Sequence, residues 1–336
     1  MEAQLLTKMA PVEDRPLEPA DLPQPEPGAG EVRIQVAVCG VCHTELDEIE
    51  GRLPPKLPIV LGHQVVGRVD QVGAAVRQFQ VGDRVGVAWI YSACGACACC
   101  RAGQENLCER AQWTGKDVNG GYAAAMVVPA AFAYPIPARF ADAQAAPLLC
   151  AGVIGYRALR LTGWAEGEAL ALYGFGASAH IVIQVAKHLR PRGQVFVLTR
   201  SEDHRRLARR LGADWVGLPT EAPPERPARA IDFTPAGETI PEALRVLRPG
   251  GRLVVNAIRK RTLVPALDYA THLWEEKELK SVANVTRQDA QEFLPLAAAI
   301  PIVPEVEEWP LAEANEALVR LKAGRIHGAA VLRIAA

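Results

Sequence analysis

Apolar and polar residues alternate along Glu31-Val32-Arg33-Ile34-Gln35-Val36-Ala37-Val38, the rhythm of a strand with one buried face. Val65 to Val72 and Asp83 to Val87 are further short β-like runs, with Gly62, Gly67, Gly73, Gly82 and Gly86 between or within them. Ahead of these runs, Pro16, Pro19, Pro23, Pro25 and Pro27 leave little room for helix, and the first stretch reads as loop. Short strands punctuated by glycine predict an irregular β-rich domain up to about residue 150.

The rhythm then changes. Ala169 to Tyr173 is a short apolar strand that runs into a glycine turn, and Ala177 to Leu189 follows as a helix. Val195 to Leu198 and Asp203 to Leu211 repeat the strand and helix. Ala230 to Phe233, Ile240 to Leu247 and Leu253 to Val255 continue as strand, helix and strand. This alternation predicts an α/β domain built on a doubly wound parallel sheet. Pro219 to Pro227 reads as a surface connection. Leu311 to Leu321 reads as an amphipathic helix and His327 to Ile334 as a closing strand.

Composition narrows the function classes. A chain of 336 residues has room for two domains. Lys+Arg 37 against Asp+Glu 38 gives a formal charge of −1, without the basic surplus of a nucleic-acid binder. The start, Met1-Glu2-Ala3-Gln4, lacks the basic and apolar regions of a signal peptide. No run reaches the ~18 apolar residues of a membrane span. The expectation is a soluble, cytoplasmic protein with no membrane or nucleic-acid partner. In the cytosol thiols stay reduced, so the eight cysteines point to metal binding or catalysis rather than disulfides.

Four of them, Cys94, Cys97, Cys100 and Cys108, follow C-x2-C-x2-C-x7-C. Four thiolates in one loop suit a tetrahedral structural zinc. The spacing favours Cys100 over Cys99, which is expected to be a bystander. Such a site has no position left for substrate, so its role is the stability of the lobe.

Cys42, His63 and Cys150 are less telling singly, since a lone cysteine is most often a small buried hydrophobe. Their surroundings carry a resemblance. Gly40-Val41-Cys42-His43-Thr44, Gly62-His63, Val81-Gly82-Asp83-Arg84-Val85, the four-cysteine loop, Gly120-Gly121-Tyr122, Ala146-Pro147 through Cys150-Ala151-Gly152 and the turn at Gly174 occur in this order. In these segments the chain resembles the zinc-dependent medium-chain alcohol dehydrogenases over essentially its whole length. The resemblance implies a β-rich GroES-like catalytic domain beside a Rossmann dinucleotide-binding domain. The expected boundaries are 1–151 with 289–336 for the first and 152–288 for the second. It implies that Cys42, His63 and Cys150 hold a catalytic zinc, making two zinc ions per chain. It implies that Thr44 relays the alcohol proton and that Glu45 orients the ligand histidine. His43 is a candidate for both the proton path and cofactor binding. Two thiolates and an imidazole leave a fourth position for water or substrate oxygen, on which zinc acts as a Lewis acid. The expected activity interconverts alcohols with aldehydes or ketones, in a homodimer or homotetramer.

Two positions depart from the family pattern. Gln64 follows the ligand histidine where relatives commonly have Glu, which points to altered ligand exchange. Glu50 lies where many relatives place the histidine that ends the relay, and Asp47 where another is frequent. A carboxylate at 50 is either a replacement proton acceptor or a solvated loop charge.

Gly174-Phe175-Gly176-Ala177-Ser178-Ala179 fits G-x-G-x-x-A between a strand and a helix. Gly174 makes the turn, Gly176 admits the pyrophosphate and Ala179 permits close helix packing. The second strand ends in Leu198-Thr199-Arg200-Ser201, without the acid that binds the adenosine ribose of NAD. Thr199, Arg200 and Ser201, with Arg205 and Arg206 beyond, favour NADP(H) over NAD(H). Trp89 and Trp113, with Ile90, Leu149 and Ile258, are candidates for an apolar substrate pocket. The alternative reading is a non-catalytic nucleotide-binding or redox-sensing protein that retains the fold.

Overall fold

The computed structural model describes residues 1–334. The chain forms two compact units: one holds Met1–Cys150, Asn284–Ala298 and the chain from Val303 onward, the other Ala151–Ala283 and Ala299–Ile302.

In the first unit the strand Glu31–Val41 is the hub. Its alternation buries Val32, Ile34 and Val36 completely. It pairs antiparallel with Val65–Val72 on one edge. On the other edge it pairs with Ala125–Pro129 through residues 31–35 and with Ala329–Arg333 through residues 38–41. Arg84–Val87 and Ala133–Pro135 extend the sheet past 65–72, and Val306–Pro310 extends it past 329–333.

The Pro-rich start is not all loop. Leu17–Asp21 pairs antiparallel with Glu2–Leu6 and is the edge strand of a three-stranded sheet. Pro19 lies opposite Gln4. An edge strand tolerates proline because one side needs no N–H donor. The helix read over 311–321 is a 3-10 turn, Leu311–Glu313, running into an α-helix at Ala314–Lys322. The helix Arg287–Ala299 escaped the sequence reading because Pro295 sits inside it.

The second unit is a six-stranded sheet in which every neighbouring pair is parallel. Its order is Trp215–Gly217, Gln194–Leu198, Ala169–Tyr173, Arg229–Asp232, Arg252–Val255 and Glu278–Ser281. Numbered by sequence this is 3-2-1-4-5-6, the Rossmann arrangement. All five residues of Ala169–Tyr173 are buried, as expected of a central strand covered on both faces. The order reverses between 169–173 and 229–232, and ligands of such sheets bind beyond the carboxyl ends of the strands at that reversal.

Candidate functional site

The hub strand ends by delivering Cys42 into a short helix, His43–Ile49. Cys42 caps that helix: its Sγ accepts from the Thr44 N–H at 3.3 Å and lies 3.4 Å from the Thr44 hydroxyl. The Cys42 N–H donates to Glu45 Oε2 at 2.9 Å, which completes a capping box. The other oxygen of Glu45 lies 2.7 Å from His63 Nδ1. One carboxylate therefore fixes both the helix start and the imidazole.

His63 follows Gly62, whose φ of +97° and contact with the Tyr122 ring leave no room for a Cβ. Cys150 follows the 3-10 turn Ala146–Leu149, and its Sγ lies 4.0 Å from that of Cys42. Donor atoms of Cys42, His63 and Cys150 all fall within 4.8 Å of one another. His63 Nε2 is buried without a hydrogen-bond partner.

This donor set fits zinc. Thiolates 2.3 Å from a tetrahedral zinc lie about 3.8 Å apart, close to the observed separation. The adjacent Cys150 thiol, then burial, pushes the Cys42 thiol well above its usual range. Burial opposes a charged His63, but the Glu45 carboxylate and Cys42 outweigh it and raise its pKa.

The second cluster is Cys94, Cys97, Cys100 and Cys108, also within 4.8 Å. Cys94 and Cys100 Sγ are 3.8 Å apart, again the edge of a zinc–thiolate tetrahedron. The N–H groups of Ala96 and Cys97 point at Cys94 Sγ and hold its pKa down to about 5. Burial, then Cys97, pushes Cys100 up to about 12. Cys99 is outside the cluster.

In the second unit Gly174 turns with φ +81°, and its N–H donates to Leu198 O at 2.8 Å. Gly176 begins the helix Ala177–Leu189 with no side-chain cap. The first N–H groups are thus left to an incoming anion. Ala179 is fully buried.

Comparison with known proteins settles the family. The pattern described as "Alcohol dehydrogenase GroES-like domain" matches residues 28–138. That described as "Zinc-binding dehydrogenase" matches residues 179–299. A probable alcohol dehydrogenase, AdhA, of Mycobacterium tuberculosis is 44% identical over 99% of this chain and 97% of its own. The chain belongs to the zinc-dependent medium-chain alcohol dehydrogenases. An alcohol dehydrogenase of Geobacillus stearothermophilus is 37% identical, covering 95% of this chain and 97% of its own. Among solved structures, a cobalt- and zinc-bound thermostable alcohol dehydrogenase from Pyrobaculum aerophilum superposes with a TM-score of 0.88 at 26% identity, covering 99% of each chain. This protein is a zinc-dependent alcohol oxidoreductase that works with a nicotinamide cofactor. No helix among the described residues is long and apolar enough to cross a membrane.

The dehydrogenase's remaining candidates fall as follows. Thr44 is buried and His43 is exposed at the helix start. Gln64 is buried with its side chain resting on Gly40, and its carbonyl accepts the Gly40 N–H at 2.9 Å. Trp89 stacks obliquely between His63 and Trp113, with ring centroids 5.7 and 5.4 Å away. Ile90 and Leu149 are core: Leu149 fills the space that a Cβ on Gly86 would need. Ile258 is 51% exposed. Thr199 is buried, Ser201 caps the helix Glu202–Arg210, and Arg200 is exposed. Arg205 and Arg206 are ion-paired to Glu202 and Asp203. Of this group, Arg200 is exposed and takes no part in these ion pairs.

Glu50 is a half-buried, ion-paired carboxylate. It accepts from the Val12 N–H and is ion-paired to Arg52 and to Lys322. Although burial opposes ionisation, those cations hold its pKa down to about 2. A carboxylate so acidic is a poor proton acceptor near neutral pH. With the folded pKa below the unfolded one, its stabilisation is present above about pH 4.5 and is lost as pH falls towards 2. Glu50→Gln is expected to lower stability by about 1–2 kcal/mol at pH 7 and to leave it unchanged near pH 2. Urea unfolding at the two pH values checks this; an equal loss at both would refute the ion-pair role.

Sequence reasoning missed Glu48. It is fully buried one helical turn after Glu45, and neither carboxyl oxygen has a hydrogen-bond partner. Burial, then the Glu45 carboxylate, pushes its pKa well up. The i, i+3 spacing of Glu45 and Glu48 was the available signal.

Proposed function

We propose that this dehydrogenase oxidises apolar alcohols and reduces the matching aldehydes or ketones at the Cys42–His63–Cys150 triangle. The observation that carries the proposal is the buried His63 imidazole, grouped within 4.8 Å with the donor atoms of Cys42 and Cys150 and lying 2.7 Å through Nδ1 from Glu45. That is the ligand and outer-partner arrangement of an open catalytic zinc site. Zinc held there supplies Lewis-acid polarisation of the substrate oxygen. Glu45 keeps His63 Nδ1 protonated and its Nε2 lone pair presented to the metal. Thr44 takes up and passes on the substrate hydroxyl proton, and exposed His43 offers that proton a way to solvent. Glu50 stays a structural ion-pair partner rather than the end of the relay. Trp89 and Trp113 give the substrate an apolar wall.

The lobe cysteines hold a second, structural zinc, giving two per chain. Gly174, Gly176 and Ala179 cradle the cofactor pyrophosphate. Exposed Arg200, with no acid at the strand end, favours NADP(H). Oligomer formation is supported by the edge strand Glu278–Ser281, where Leu279 is 43% exposed.

A screen of primary alcohols and aldehydes with both nicotinamides, run with metal analysis, tests the reading. Turnover of none of them by a chain with two zinc ions would overturn it. Arg200→Ala is expected to lower kcat/KM with NADPH about tenfold and to leave NADH within about twofold, since a charge-assisted phosphate contact is lost. Equal effects on both cofactors would refute the NADP(H) preference.

A further inference from the structure

The family signature does not account for a buried charge cluster at the strand-order reversal of the second unit. Asp232 is the last residue of its strand and lies in register with Tyr173, the residue before the glycine turn. It is fully buried, and four donors meet its carboxylate. Oδ1 accepts from the Thr234 N–H at 2.8 Å and the Thr234 hydroxyl at 2.7 Å. Oδ2 accepts from the Thr239 hydroxyl at 2.7 Å and from Lys260 Nζ at 2.5 Å. The same ammonium also donates to the Thr234 carbonyl at 2.7 Å. Thr234 is thereby fixed at its N–H, its hydroxyl and its carbonyl.

Thr234 in turn walls the glycine turn. Its Cγ2 lies 2.9 Å from where a Cβ on Gly174 would stand. The loop that supplies Lys260 is laced to the loop that supplies Thr234. Arg261 N–H donates to Pro235 O at 2.7 Å, and Gly237 N–H to Thr262 Oγ1 at 2.8 Å. Thr262 donates to Glu238 at 2.7 Å. A buried ion pair contributes little net stability when compared with an apolar replacement. Its effect here is to set the shape of the loops at the place where such sheets bind dinucleotides.

We propose that Asp232, Thr234 and Lys260 are positioning residues for the dinucleotide. They hold the wall of the pyrophosphate cradle against Gly174, and they act on NADH and NADPH alike. This rests on the nicotinamide reading of the glycine turn, and it differs from the role given to Arg200, which discriminates between the two cofactors.

The test measures Kd for NADH and NADPH by nucleotide fluorescence titration, with zinc content and thermal midpoint recorded for each variant. Thr234→Val keeps the shape and removes the hydroxyl, and it is expected to weaken both cofactors by about tenfold, the scale of a misplaced binding wall. Thr234→Ser should restore most of that loss. Lys260→Met should weaken both more, because it leaves Asp232 buried without its cation. The double variant Asp232→Asn with Lys260→Met should fold more stably than Lys260→Met alone while still binding both cofactors weakly. Variants that bind both cofactors as wild type overturn the proposal, and so does weakening confined to NADPH. A wild-type chain that binds neither nicotinamide overturns the cofactor reading itself, and with it this proposal.

Discussion

Cys150→Ser is expected to leave a folded dehydrogenase with about one zinc per chain and turnover reduced on the order of a thousandfold. The argument is local. A serine hydroxyl stays protonated at neutral pH, so it cannot replace a thiolate that lies 4.0 Å from Cys42. The two remaining donors, Cys42 and His63, are too few for a tetrahedral site. Glu45 still holds His63 and still caps the helix, so the catalytic helix keeps its start. The lobe cluster shares no residue with this one and is expected to keep its own ion. Metal analysis by atomic absorption and steady-state kinetics read the two consequences separately. Retention of both zinc ions with intact turnover would remove Cys150 from the ligand set. Loss of both would mean that the two clusters are not independent.

What the sequence made legible follows from how far apart the interacting residues stand. The lobe could be read from spacing because Cys94 to Cys108 is one loop. The glycine turn could be read because strand, turn and helix are consecutive. Cys150 is different: 108 residues separate it from Cys42. No local spacing links them, and only the family resemblance did. The strand at Leu17–Asp21 was hidden because proline is normally excluded from sheets, an exclusion that an edge strand relaxes. Glu50 reads in sequence as a relay acceptor or a solvated charge because one of the two cations that pair with it, Lys322, lies 272 residues away. Asp232 and Glu48 carry no local signal of the burial that tertiary packing gives them. A charged residue reads as surface until tertiary packing shows what covers it.

Loss of the lobe metal is expected to cost stability rather than chemistry. Cys108→Ala removes a buried sulfur from the four-cysteine cluster. Metal binding at such a site is folding free energy for the loop that wraps it. The lobe is also tied to the rest of its unit through Glu105, three residues before Cys108. Both oxygens of that buried carboxylate accept from Arg287, at 2.6 to 3.1 Å, and the guanidinium lies 4.8 Å from the Phe132 ring centroid. Unfolding the lobe would take Glu105 away and leave Arg287 without its main partner. A loss of several kcal/mol should lower the thermal midpoint by about 10 °C or more. Zinc content should fall to about one per chain, while kcat at a temperature well below the new midpoint stays within about threefold of wild type. Cys99→Ala is the control: its thiol lies outside the cluster, so midpoint and zinc content should not change. If Cys99→Ala released zinc, or if Cys108→Ala lost turnover at low temperature while keeping both ions, the lobe would not be the closed structural site its four thiols describe.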